Sequence, residues 1–274
     1  MSVLADLPGP VVLVGAGNMG GALMRGWLSA GVSPADIVVL DPSPAPAIRE
    51  LAERHSIRCE TAPPADLTAG VLFLALKPQV MDTVLPGLKS LVGPETVAVS
   101  VAAGKTLASL ERNLGPVAAV RAMPNTPAMV GRGITGAFAG EAVTERQRAI
   151  VDALLAVSGP VEWLDAEGDI DAVTAVSGSG PAYAFYLAEC LAEAGRKAGL
   201  APDLAMRLAR ATVSGAGELM HRSQDDTSTL RKNVTSPNGT TAAALAVLMA
   251  ENGLQPLMDA AVAAAKKRAE ELAR

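Results

Sequence analysis

Gly15-Ala16-Gly17-Asn18-Met19-Gly20 follows directly on the apolar run Val11-Val12-Leu13-Val14. A continuous run of this kind predicts a strand buried on both faces, as in a parallel sheet. The G-x-G-x-x-G spacing after it predicts a tight turn that opens a helix. Gly15 permits the turn, Gly17 lets the backbone approach a pyrophosphate, and Gly20 lets helix and strand pack closely. The helix N-terminus, with the amides of Asn18 and Met19, faces the anion. A turn that is merely tight is the plainer reading, but the strand before and the helix after supply the context a dinucleotide site requires.

The same alternation continues along the chain. Helical periodicity runs from the glycines to Leu28 and is stopped by Gly31 and Pro34. Strands are predicted at Ile37–Leu40, Val71–Leu76, Thr96–Val101 and Val117–Arg121, and later at Gly133–Phe138 and Val161–Leu164. Helices fall at Ala47–His55, after Pro78, and at Leu107–Leu114. Alternating strands and helices predict a doubly wound α/β domain with a parallel sheet. From Asp169 onward nearly everything reads as helix: Pro181–Ala198, Pro202–His221, Thr240–Ala250 and Pro256–Ala273. The expected organisation is a Rossmann domain over residues 1–164 and an all-helical domain over residues 165–274. Alanine and internal glycines (Gly195, Gly215, Gly217) suit close helix–helix contact.

Composition narrows the function. Half of the 274 residues are hydrophobic but only 3% are aromatic, so an aliphatic core is expected. The net charge of −5 provides no basic footprint for nucleic acid. Cys59 and Cys190 have no metal-ligand spacing, which fits a reducing cytoplasm rather than a disulfide framework or zinc site. Met1–Pro10 lacks the basic and apolar regions of a signal peptide, and apolar runs end well short of a membrane span.

Several residues fall on the carboxyl edge of the predicted sheet, where ligands of open α/β folds bind. Asp41 ends the second strand, where a carboxylate accepts the ribose hydroxyls of NADH and repels the 2′-phosphate of NADPH. Its plainer role is to cap the loop into Pro42. Ala75-Leu76-Lys77-Pro78 ends the next strand; Pro78 starts a helix, and Lys77 either touches cofactor phosphate or ribose or is solvated. Ser100–Gly104 carries small residues that would admit a nicotinamide ring close to the backbone. Asn125, between Pro124 and Pro127, offers an amide to the nicotinamide carboxamide or belongs to a rigid connecting loop.

In the helical half, Thr235-Ser236-Pro237-Asn238-Gly239-Thr240-Thr241 is uncharged, rich in hydroxyls and able to present backbone amides. Those are the groups that hold a small carboxylate without a basic side chain. The chain has only two histidines, His55 and His221, neither in a catalytic constellation. An alcohol dehydrogenase needs a base for the hydroxyl proton, whereas an iminium carbon accepts hydride directly. Poverty of bases therefore favours C=N over C=O reduction.

These motifs together resemble pyrroline-5-carboxylate reductase. The resemblance runs over essentially the whole chain. It is carried by Gly15–Gly20, Leu74–Gln79, Met123–Pro127, Ser177-Gly178-Ser179-Gly180-Pro181-Ala182-Tyr183 and Val234–Thr241. It implies a Rossmann domain and a helical domain that forms a homodimer, often assembled into larger rings of dimers. It implies NADPH or NADH as cofactor and Δ1-pyrroline-5-carboxylate as substrate, with hydride transfer yielding L-proline. By position it places the substrate carboxylate on Ser236, Gly239 and Thr240, and the Thr241 hydroxyl near the ring nitrogen as the catalytic group. It places Ser177–Tyr183 near the nicotinamide, whereas the residues alone read equally as helix packing. Asn238 departs from the usual Gly-Gly pair, although Asn tolerates left-handed backbone. Asp41 departs from NADPH-preferring members, which carry a small hydroxyl residue there. Two other readings compete: a β-hydroxyacid dehydrogenase or related imine reductase, whose catalytic lysine could only be Lys197, poorly placed near a helix end beside Gly199, and a nicotinamide-binding protein without turnover.

Overall fold

The computed structural model describes residues 3–5 and 7–273. Met1, Ser2 and Asp6, part of the stretch read against a signal peptide, lie outside the described residues. Eight strands form one sheet: β1 (Val11–Val14), β2 (Ile37–Leu40), β3 (Arg58–Glu60), β4 (Val71–Leu74), β5 (Val97–Ser100), β6 (Ala118–Pro124), β7 (Thr135–Ala139) and β8 (Val161–Trp163). Their order is β3-β2-β1-β4-β5-β6-β7-β8. The first six run parallel, so the order reverses between β1 and β4, the switch point of a doubly wound fold. The expected doubly wound parallel sheet is present, with one departure beyond its first six strands. β7 pairs antiparallel with β6, and β8 runs parallel to β7. The ten-residue link from Asn125 to Ile134 explains this: it is too short for a helical crossover and returns the chain beside β6.

Crossing helices cover the sheet: α1 (Asn18–Ser29), α2 (Pro46–His55), α3 (Pro78–Val84), α4 (Leu107–Leu114) and α5 (Glu145–Ala156). α1 ends as its sequence requires. Gly31 adopts φ +87°, and Val32 N–H returns to the Trp27 carbonyl at 3.0 Å. α5 escaped the periodicity reading, yet its start carries a local signal. The Thr144 hydroxyl accepts from Gln147 N–H and the Gln147 side-chain oxygen accepts from Thr144 N–H, a capping box.

Strand alternation divides the core in two. Val11, Leu13, Ile37, Val39, Val71 and Phe73 face α1 and α5, whereas Val12, Val14, Val38, Leu72 and Leu74 face the opposite layer with Leu85, Leu88 and Leu110. The second face is aliphatic, as expected. The first is not: fully buried Trp27 packs edge-on to Phe73 with centroids 5.2 Å apart, and its indole N–H donates to the Leu154 carbonyl at 2.8 Å. This aromatic pair fixes one helix to both strand and neighbour.

Two compact units result, residues 3–178 with 265–273, and Ser179–Ala264. A short helix α6 (Asp169–Val173) and a π-helical turn (Thr174–Gly178) therefore pack with the sheet. Ile170 is buried there, and a Cβ on Gly136 of β7 would meet Val173 at 2.8 Å. Beneath α6, Arg121 of β6 is 3% exposed. Its Nη1 donates to Glu167 Oε1 at 2.9 Å, and Asp171 Oδ1 lies 3.9 Å from Nη2. Burial pushes the Asp171 carboxyl above its ordinary range, opposed by Arg121.

The second unit contains α7 (Gly180–Lys197), α8 (Pro202–Arg222), α9 (Thr227–Asn233), α10 (Thr240–Leu248) and the start of α11 (Leu254–Leu272). α7 and α8 pack as a helical hairpin through Ala188, Ala192, Ala205 and Ala209. A Cβ on Gly195 would touch Ala205 Cβ at 3.4 Å, so the small residues do allow close approach.

Candidate active site

The Gly15–Gly20 turn is built so that little but glycine fits at its two ends. Gly15 adopts φ +88°, and a Cβ there would stand 2.8 Å from the Ala75 carbonyl oxygen. A Cβ on Gly20 would collide with the Gly15 carbonyl oxygen. Gly17 differs, because a Cβ there would meet nothing within 4 Å. It faces open space, as a cradle for pyrophosphate must. Gly17 is also the N-cap of α1 and no side chain caps it, so the amides of Asn18 and Met19 remain available to an anion.

Asp41 at the end of β2 does more than the ribose rule anticipates. Its Oδ2 accepts from Ala16 N–H at 2.7 Å, and its Oδ1 accepts from Ser43 N–H at 2.8 Å. The carboxylate therefore pins the glycine turn to the β2 loop and caps that loop as well. Each oxygen retains a lone pair for a further donor. Beside it a cavity of about 170 Å³ is lined by Thr61, Pro63, Leu76, Val84 and Leu88 together with Asp41. Its lining is flat and mostly apolar. Of these five only Leu76 carried a sequence signal, as part of the Ala75–Pro78 rim; Thr61, Pro63, Val84 and Leu88 carried none. They converge from the loop after β3 (Thr61, Pro63), the link from β4 to α3 (Leu76), the end of α3 (Val84) and the 3-10 turn that follows it (Leu88).

Further along the rim, Ala75 follows β4, and its amide donates to the Val14 carbonyl at 2.8 Å. The predicted strand to Leu76 stops at Leu74 instead. Lys77 is then the exposed N-cap of α3, and Pro78 is its first residue, as the missing proline N–H allows. Asn125 Oδ1 accepts from Ile134 N–H at 3.0 Å, which ties down the two ends of the loop between β6 and β7. This supports the rigid-loop reading of Asn125, leaving only its side-chain NH2 to face a ligand. The β6 strand also runs three residues beyond its expected end at Arg121, to Pro124.

The segment Thr174–Gly178 winds as a π-turn, and α7 begins at Gly180 with Pro181 in its first turn. A Cβ on Gly178 would sit 3.7 Å from Met123 Sδ, so this turn lies on the carboxyl end of β6. The Ser177 hydroxyl is buried there without a hydrogen-bond partner. π-turns of this kind are frequent at functional sites.

Thr235–Thr241 lies in the helical unit and forms a closed turn. Gly239 N–H donates to the Ser236 carbonyl at 3.1 Å, and Asn238 adopts φ +59°. Pro237 followed by a left-handed residue is the signature of a type II turn, and Asn meets that demand as expected. A Cβ on Gly239 would collide with Ser236 Oγ. The Gly239 amide is spent on the turn, which differs from a role as carboxylate donor. The uncommitted amides are those of Thr240 and Thr241, which open α10. Thr235 Oγ1 donates to the Arg231 carbonyl at 2.6 Å and so anchors the turn to α9.

The remaining candidates sit elsewhere. His55 ends α2 on the surface, and His221 lies exposed in the last turn of α8. Lys197 is the last residue of α7, exposed, with its Nζ 3.7 Å from Glu193. A solvated, paired ammonium at a helix end does not resemble a catalytic lysine, which argues against the β-hydroxyacid dehydrogenase reading.

Comparison with known proteins agrees across the chain. Residues 167–272 match the family model for pyrroline-5-carboxylate reductase dimerisation, and residues 10–104 match that for NADP oxidoreductase, coenzyme F420-dependent. The Pyrroline-5-carboxylate reductase of Pseudomonas aeruginosa is 42% identical over 96% of both chains. The structure of a pyrroline-5-carboxylate reductase from Coxiella burnetii superposes with a TM-score of 0.88 at 34% identity, covering 97% of this chain and 99% of that one. A Plasmodium falciparum pyrroline carboxylate reductase with NADP bound gives a TM-score of 0.80 at 26% identity, covering 98% and 99%. Sequence and fold agree over the full length, and the chain belongs to the pyrroline-5-carboxylate reductase family.

Proposed function

We propose that this chain reduces the imine of Δ1-pyrroline-5-carboxylate to L-proline with hydride from NADH or NADPH. The observation that carries the substrate side is the closed Ser236–Gly239 turn running into the N-terminus of α10. A helix start with free amides and a favourable dipole is a ready carboxylate site. The Thr240 amide and the Ser236 hydroxyl hold the carboxylate, while Gly239 keeps the approach clear of side chains. Thr241, half-buried one residue further, directs its hydroxyl to the ring nitrogen and orients the imine. An unperturbed hydroxyl is a weak acid, so orientation is its main contribution.

The glycine turn, the amides of Asn18 and Met19, Asp41 and the apolar slot fit a dinucleotide. Pyrophosphate lies on the turn, ribose at Asp41 and the adenine between Leu76, Val84 and Leu88. Ala75, Lys77, Pro78 and Asn125 form the rest of the rim. When bound, reduced nicotinamide supplies the hydride. The protein's own share is to hold both rings in near-attack geometry, a contribution worth about 7–11 kcal/mol. Asp41 favours NADH by repelling a 2′-phosphate.

The expected division into residues 1–164 for the cofactor and 165–274 for substrate and assembly shifts with the packing: residues up to 178 and from 265 belong with the cofactor unit, and Ser179–Ala264 serves substrate and assembly. The helical unit buries few side chains of its own. Phe185 is 65% exposed, Val247 71% and Leu257 68%. Apolar surface on that scale marks an association face. A second copy of this chain covers it, giving a homodimer and, through repeated contacts, a larger ring. No described helix is long and apolar enough to cross a membrane, and two free cysteines suit the cytoplasm.

Thr241→Val removes the hydroxyl while keeping the shape. It is expected to lower kcat/KM for the imine by roughly 10- to 100-fold, about 1.4–2.7 kcal/mol of transition-state stabilisation. NADH affinity should not change. Steady-state rates at 340 nm and a fluorescence titration measure the two, and unchanged kinetics would remove Thr241 from the reaction.

A further inference from the structure

Val101–Gly104 leaves β5 on the ligand edge of the sheet and is made of small residues. Such a segment has no large side chains with which to anchor itself, and glycine adds conformational freedom. Its first half is held by the sheet, with Val101 N–H donating to the Leu74 carbonyl at 3.1 Å and Ala102 buried, whereas the position of its second half, Ala103 and Gly104, is set from outside. On one side, Lys105 Nζ donates to Asp82 Oδ2 of α3 at 2.6 Å, with the lysine side chain only 16% exposed. On the other side stands the last turn of α11. Gly104 adopts φ +71°, and a Cβ there would lie 2.8 Å from both the Cβ and the carbonyl oxygen of Leu272. The contact is loop backbone against helix backbone, and no side chain fits between them. One turn earlier, Ala269 is 4% exposed.

We propose that the final turns of α11, residues 265–273, are a positioning element of the cofactor site: they hold the Val101–Gly104 loop where the nicotinamide end of the cofactor binds. The proposal rests on the dinucleotide reading above. It extends that reading, because the cofactor unit is then completed by the far end of the chain. Without the helix the loop must be ordered by the cofactor itself, and that ordering is subtracted from affinity. Leu272 acts through the loop and does not itself meet the reacting atoms.

Two variants test this against a matched control. One chain ends at Lys267, which removes Ala269 and Leu272. The other is Gly104→Ala, which pushes a methyl into α11. Gly31→Ala is the control: φ is +87°, but a Cβ there meets nothing within 4 Å, so it carries backbone strain without the contact. NADH affinity is read by fluorescence titration, kcat and KM by turnover, and assembly by size-exclusion chromatography. The truncated chain and Gly104→Ala are expected to bind NADH roughly tenfold more weakly. Both should lose kcat with oligomeric state kept, whereas Gly31→Ala loses only thermal stability. Truncation that leaves NADH affinity within about twofold overturns the proposal. So does a Gly104→Ala chain that behaves like Gly31→Ala. If the truncated chain does not fold, the comparison of the two glycine variants decides. Binding of NADH without imine turnover in the parent chain would sink the proposed reaction and leave this inference standing. A parent chain that binds neither NADH nor NADPH overturns both.

Discussion

Asp41→Ser is expected to raise the ratio of kcat/KM with NADPH to that with NADH by about 100-fold, or ~2.7 kcal/mol. The largest cause is charge. A carboxylate about 4 Å from a 2′-phosphate, near a surface with an effective dielectric near 20, repels each unit charge by roughly 4 kcal/mol. Screening by salt reduces this. The second cause is geometric and specific to this chain. Asp41 accepts from Ala16 N–H at 2.7 Å and from Ser43 N–H at 2.8 Å, so serine also loosens the glycine turn. NADH should therefore bind less well to the variant even as discrimination falls. Asp41→Asn separates the two causes: it removes the charge while its amide oxygen still accepts one backbone N–H. Initial rates with both cofactors on all three chains provide the comparison. A ratio that does not move in Asp41→Ser would mean that Asp41 only braces the turn.

Gly20→Ala should abolish cofactor binding, weakening NADH by more than about 1000-fold, or ~4 kcal/mol. The added methyl would overlap the Gly15 carbonyl oxygen and lie 3.3 Å from Ala75 Cβ. Both neighbours belong to rigid elements: Gly15 N–H is held by the Leu40 carbonyl at 3.0 Å, and Ala75 N–H by Val14. α1 must therefore lift away from β1, which displaces the amides that hold pyrophosphate. Overpacking of this kind also costs about 1–3 kcal/mol of stability. Gly17→Ala is the informative contrast. Its methyl has free space and should leave stability nearly unchanged, yet it projects toward the pyrophosphate and weakens binding. Thermal melts paired with fluorescence titrations separate the two effects. Retention of NADH affinity within tenfold of the parent in Gly20→Ala, as judged on the same free-energy scale, would place the cofactor elsewhere.

Much of this was legible in the sequence because it is local. The glycine turn, the strand before it and the helix after it are signalled by residues within a dozen positions, even though the folded turn also meets Leu40, Asp41 and Ala75. Helix α4 falls on its predicted bounds because its apolar spacing and Thr106 cap lie within one segment. Asn238 met the left-handed demand of its turn for the same reason. The family resemblance rested on such local motifs. α5 is equally local, announced by the capping box of Thr144 and Gln147 rather than by apolar periodicity.

What only the tertiary structure decided depends on segments distant in sequence. The apolar slot joins the loop after β3 to α3 and β1. Asp41 caps its own loop at Ser43, as the sequence suggested, but its second oxygen accepts from Ala16 N–H 25 residues away, which no spacing rule foretells. Arg121 reads as the end of a strand in the sequence but lies within β6, buried beneath α6 and paired with Glu167. The expected boundary near residue 164 follows the change from strands to helices. Packing follows a different line: residues 165–178 and 265–273 join the sheet because Ile170, Ala269 and Leu272 find their contacts there. Periodicity along a chain reports which face of an element is apolar. It does not report which other element covers that face, and that choice sets both the cofactor rim and its support.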